Sequence, residues 1–106
     1  MYDFPLTGAQ KSFLRSLGQQ LDPALKVGKD GLSPAFFAEL QRLLRSHELV
    51  KLRFTGAGDR AERAAWCTQI ADEGRCVCAG AVGHTALFYR QHPEPEQRRV
   101  ALPPGS

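Results

Sequence analysis

No stretch of this chain is apolar for long enough to span a bilayer, because charges, glycines and prolines interrupt every hydrophobic run. Its first residues, Met1-Tyr2-Asp3-Phe4-Pro5, have neither a basic segment nor an apolar core, which predicts no secretory signal. Cysteine is scarce: there are three, an odd number, with no Cys-x-x-Cys pair. That argues against a framework of bridges and fits a reducing, cytoplasmic setting. The phosphate-binding Gly-x-x-x-x-Gly-Lys-Ser/Thr run of nucleotide triphosphatases is missing, as is the Gly-x-Gly-x-x-Gly of dinucleotide folds. Charge of one sign is not abundant either. Fourteen Lys and Arg against eleven Asp and Glu leave a formal +3, so placement of the cations matters more than their surplus. With 106 residues the chain is one domain with one core.

Chemistry at the cysteines is excluded on similar grounds. Cys67, Cys76 and Cys78 with His84 could be drawn as a zinc site, but Cys-x-Cys on a strand lacks the knuckle spacing such sites use. Small buried hydrophobes are the better account of them. A cysteine nucleophile needs a histidine beside it, and His47-Glu48 diverge at a helix end. The expectation is no catalytic residue, no metal, no cofactor and no small-molecule substrate.

What is present centres on Leu25-Lys26-Val27-Gly28-Lys29-Asp30-Gly31-Leu32-Ser33-Pro34. A short apolar run feeds a Gly-x-x-Gly turn, and the turn feeds a helix with Ser33 as N-cap and Pro34 at its first position. Glycines permit a tight turn whose backbone amides approach an anion closely, and the helix points its positive end towards it. Lys29 adds a full charge.

Around this stretch the elements read in order. Thr7 and Gln10 form a capping box for a first helix with Phe13, Leu14, Leu17 and Leu21 as its apolar stripe and Lys11 and Arg15 on a wet one. Asp22-Pro23 breaks it, and a strand from Ala24 to Val27 enters the loop. In the second helix Phe36, Phe37, Leu40, Leu43, Leu44 and His47 share one arc, with Arg42 and Arg45 opposite. Leu49 to Thr55 alternates as a strand, Val50, Leu52 and Phe54 to one face, Lys51 and Arg53 to the other. Asp59 and Glu62 open a third helix over about Arg60 to Glu73, with Trp66, Cys67, Ile70 and Ala71 inward and Gly74 as its C′ glycine. Cys76–Val82 and Thr85–Arg90 pair through Gly83-His84, a two-residue turn of type II′. The order α-β-α-β-α-β-β predicts an α/β sandwich: one domain with a four-stranded mixed sheet and three helices. Residues 1–5 are an extension, 6–90 the domain and 91–106 a loosely structured tail.

Val27-Gly28-Lys29-Asp30-Gly31-Leu32-Ser33, Glu39-Leu40, His47-Glu48-Leu49-Val50-Lys51-Leu52, Val82-Gly83-His84-Thr85 and Leu87-Phe88-Tyr89-Arg90 together resemble the CRM domain, especially the single-domain bacterial proteins of the YhbY type. The resemblance runs from Leu6 to about Arg90. It implies RNA binding on a fold similar to the C-terminal domain of translation initiation factor 3. For the bacterial members it implies association with precursors of the large ribosomal subunit, and for plant relatives a role in organelle intron splicing. The loop Gly28, Lys29, Asp30, Gly31 is implied to contact RNA as the similar loop of KH domains does. His84 stands at the hairpin tip where a lysine or arginine is expected, so this tip is charged only when the imidazole is protonated. On that fold Lys11, Arg15, Lys51, Arg53 and Arg90 are expected to join the loop in one basic face, binding ribosomal RNA as a monomer away from any membrane. The alternative is a protein–protein adaptor on the ribosome that uses the tail.

Overall fold

Three N-caps set the helices, and each is made by the residue the sequence marks. The computed structural model describes residues 4–28, 31–56 and 58–103. Helix α1, Gly8–Gly18, begins at Thr7, whose Oγ1 accepts from Gln10 N–H at 3.1 Å while Gln10 Oε1 accepts from Thr7 N–H at 3.1 Å. Helix α2, Pro34–His47, begins where Ser33 Oγ accepts from Phe36 N–H at 3.1 Å. Helix α3, Arg60–Gly74, begins where Asp59 Oδ1 accepts from Glu62 N–H at 2.8 Å. The strands are β1, Leu25–Val27; β2, Leu49–Phe54; β3, Val77–Val82; and β4, Thr85–Tyr89.

They form one mixed sheet in the order β1-β2-β4-β3, with β1 parallel to β2 and the other pairs antiparallel. The chain is thus the α/β sandwich its element order predicts. Because side chains alternate along a strand, each sheet face collects its own core. On one face Val50, Leu52, Phe54 and Phe88 meet Leu40, Leu43 and Leu44 of α2 and Ile70 of α3. On the other, Leu49, Leu87 and Tyr89 meet Leu14 of α1. Among the described residues no helix is long and apolar enough to cross a membrane.

Several local expectations shift. Helix α1 stops at Gly18, so Leu17 and Leu21 stay exposed instead of completing a buried stripe. His47 faces solvent, and its neighbour Glu48 is the buried residue. Glycine 74 is not the left-handed residue ending α3. That residue is Arg75, at φ 53°, while Gly74 stays helical and buried where a Cβ would lie 2.9 Å from Leu40 Cδ2. Close packing of α3 on α2, not backbone conformation, requires a glycine there. At the β3–β4 turn positive φ falls on Gly83 (57°) and not on His84, as a type II′ turn demands.

The segment after Arg90 is irregular, with one 3-10 turn at Pro95–Gln97, but it is docked rather than loose. The Glu48 carboxylate accepts from the backbone N–H groups of His92 (2.6 Å), Arg99 (2.6 Å) and Val100 (2.8 Å). Val100 and Leu102 then pack beside Phe4 and Leu6 against the α1 core. Gln10 Nε2 donates to Pro103 O at 3.0 Å. The two terminal segments therefore close the face that α1 covers only in part.

Candidate nucleic-acid interface

The end of the sheet where β1 and β2 finish gathers three connections. Gly31 N–H donates to Gly28 O at 3.0 Å, closing a tight turn, and Gly31 sits at φ 65°, a region open to glycine. Lys29 and Asp30, the tip of that turn, lie outside the described residues. Thr55 and Gly56 N–H groups both donate to Val27 O, at 2.8 and 3.1 Å, and hold the exit of β2 against the start of the loop. Phe54 N–H donates to His84 O at 2.7 Å, which brings in the exposed tip of the β3–β4 hairpin. The Trp66 indole of α3 braces the loop from below: a Cβ on Gly31 would lie 3.6 Å from its Cζ2, and its ring meets Phe54 edge-on at 6.0 Å.

Strand register then lays out the surface beside the loop. Lys26 pairs with Arg53, Arg53 with Thr85, and Thr85 with Val82, so these four residues form one rung across all four strands. The rung lies on the α1 face of the sheet, past the point where α1 covers it. Lys26, Arg53 and Val82 are exposed there, Val82 at 75%. Arg15 stands above the next rung: a Cβ at Gly80 would come within 2.8 Å of its Cδ, and its Nη2 donates to Ser12 Oγ at 3.2 Å. Among the described residues nothing engages the charges of Lys26 and Arg53. By contrast, exposed Arg42 on α2 is tied to Glu39, and that ion pair lowers the Glu39 carboxyl below its ordinary range.

Two of the expected site cations serve elsewhere. Lys51 is half-buried, and its Nζ donates to Gly18 O and Leu21 O, both at 3.1 Å, at the C-terminal end of α1. Arg90 Nη1 donates to Gly74 O at 3.3 Å, at the C-terminal end of α3. Each cation meets carbonyls at the negative end of a helix dipole, Gly18 O also accepting from Leu21 N–H and Gly74 O from Gln41 Nε2. Arg90 also sits beside Glu48, at the far end of β2 from the loop, since its N–H donates to Glu48 O. Five residue steps of roughly 3.4 Å separate the two ends by about 17 Å. Lys11 is half-buried on α1, one turn before Arg15. The structure thus brings Gly28, Gly31, Arg53 and His84 to one end, sets Arg15 nearby, and puts Arg90 at the other. Sequence reasoning missed Lys26, although its alternation with Leu25 and Val27 assigns it the face Arg53 shares.

The cysteines fall on the opposite face. The Cys67 and Cys78 thiols lie close enough to influence each other, which raises Cys67 and lowers Cys78 from the ordinary thiol value. Burial pushes Cys76 up to about 12. Among the described residues, no three of His, Cys, Asp and Glu come together so as to hold a metal.

Comparison with known proteins identifies the family and agrees with the fold. The family model of the CRS1/YhbY (CRM) domain matches residues 6–90. This chain belongs to the CRM-domain family. A protein of Pseudomonas aeruginosa named as a probable RNA-binding protein is 36% identical over 92 residues, covering 87% of this chain and 88% of that one. An RNA-binding protein of Haemophilus influenzae is 32% identical over 98 residues, 92% of this chain and 95% of its own. A solution structure from Staphylococcus aureus, described as a candidate RNA-binding protein, superposes with a TM-score of 0.77 at 25% identity, over 93% of this chain and all of that one. Glu48 and Lys51 fall in the His47–Leu52 stretch that carries the resemblance, and here both hold the fold together.

Proposed function

We propose that this chain is a non-enzymatic RNA-binding protein that acts in the cytoplasm on ribosomal RNA, within large-subunit precursors during ribosome assembly. One observation carries the reading: Lys26 and Arg53 stand side by side on an open rung next to the Gly28–Gly31 turn, with neither charge engaged by a described partner. The interface consists of Gly28, Lys29, Asp30 and Gly31 with Lys26, Arg53, Arg15, Lys11 and His84, while Lys51 and Arg90 support it as helix caps. Membership of the CRM family and the names of its relatives favour RNA among polyanions. Phe88 and Tyr89 are buried, so neither offers a stacking platform, and contacts go mainly to phosphates and 2′-hydroxyls of folded RNA.

The adaptor alternative loses support because Val100 and Leu102 face inward and Glu48 holds the segment that carries them. Sedimentation of tagged protein in lysate tests the proposal, wild type beside Lys29→Asp, which keeps both glycines. Wild type is expected to travel with large-subunit precursors and the variant to stay at the top of the gradient. Co-sedimentation of both would remove the loop from the interface, and failure of both would end the ribosomal reading.

A further inference from the structure

A second concavity opens on the other face of the sheet, between α3 and the β3–β4 hairpin, with a volume of about 910 Å³. That is near the upper end of the range for ligand clefts, roughly 300–1,000 Å³. Its floor is apolar and polarisable, built from Phe54, Ala71 and the cysteine sulfurs. Its rim is charged unevenly. Arg60 and Arg63 flank it near the start of α3, and Asp72 lies at the other end, about 18 Å along the helix at 1.5 Å per residue. Neither guanidinium is engaged by a described partner.

The cleft adjoins the loop. Arg63 lies one helical turn before Trp66, Trp66 lies against Gly31 and Phe54, and Phe54 lines the cleft. We infer that this cleft receives an unpaired nucleotide of the bound RNA, its base against the Phe54 and cysteine floor and its flanking phosphates on Arg60 and Arg63. The inference rests on the RNA-binding reading above. Charge complementarity selects the occupant: two unengaged arginines attract a phosphate backbone at one end, and Asp72 repels it at the other. A strand therefore cannot lie along the whole cleft and enters base first.

Two RNA probes test it with the full chain: a stem-loop with an unpaired loop, and the same stem as a perfect duplex. Affinity is measured against salt by filter binding, and Trp66, the single tryptophan, reports in parallel by fluorescence. Ala64→Phe fills the cleft from an exposed helix position without touching a charge. It is expected to weaken the stem-loop about tenfold, the 1–3 kcal/mol scale of a base contact, and to leave the duplex unchanged. Arg60→Ala with Arg63→Ala is expected to lower the stem-loop log–log salt slope by about two. Unchanged stem-loop binding in both variants, as for a peptide-binding cleft, overturns the inference, and so does equal weakening of both probes by Ala64→Phe. If Lys29→Asp weakens both probes while the cleft variants bind the stem-loop as wild type does, the cleft is refuted and RNA binding stands. If wild type binds neither probe, both readings fall.

Discussion

At one end of the sheet Glu48 is fully buried and every polar atom it has meets a backbone group, whereas at the other end Arg53 and Lys26 stand side by side in solvent. The first end holds chain segments to one another. Glu48 anchors the tail, and nearby Arg90 satisfies a helix carbonyl. The backbone of Glu48, at φ 64°, is strained for a side chain of its size, and tertiary contacts hold it there. The second end leaves its cations unengaged by any described group. An occupied charge contributes to stability, and the unoccupied ones are those the proposed RNA interface uses.

The largest effect should come from removing the anchor. Glu48→Gln turns an amide towards three N–H donors and is expected to cost about 3 kcal/mol, seen as a lower urea midpoint, with RNA affinity of the folded protein unchanged. A stable Glu48→Gln protein with impaired binding would invert the comparison. At the open end, Lys26→Ala with Arg53→Ala should weaken RNA binding about tenfold and lower the salt slope by about two, with stability within about 0.5 kcal/mol of wild type. Lys51→Met is the sharpest contrast with Arg53, two residues away on the same strand face. It should lose about 1 kcal/mol of stability in denaturant titration and leave the salt slope as it was. A further effect appears only at alkaline pH. Burial raises Cys76 to about 12, so the unfolded chain releases this proton first and stability falls as pH rises from about 9 towards 12. Cys76→Ala should flatten that decline in urea melts across the same window.

Much of the frame was legible because local chemistry decides it. The caps at Thr7, Ser33 and Asp59, the alternation of Val50, Leu52 and Phe54, and the Gly83-His84 turn each follow from neighbours in sequence. The errors share a cause. Lys51 and Arg90 look like a basic face when read along their strands, but each is claimed by the end of a helix that sequence separates from it by about thirty and about sixteen residues. Glu48 looked like a residue at a helix end, and only the returning tail, over forty positions later, shows why a carboxylate is buried there.

The sequence by itself determined which segments are helix, strand and turn, because propensity, capping and period act over a few residues. It also placed Arg53 on the polar face of its strand, and the same alternation, passed over for β1, puts Lys26 on the polar face there. Only the tertiary structure decided which charges are occupied. Hydrogen bonds from Lys51, Arg90 and Glu48 form between segments that meet after folding, and no local pattern encodes that meeting. The open rung beside the Gly28–Gly31 turn is what remains once those partners are assigned.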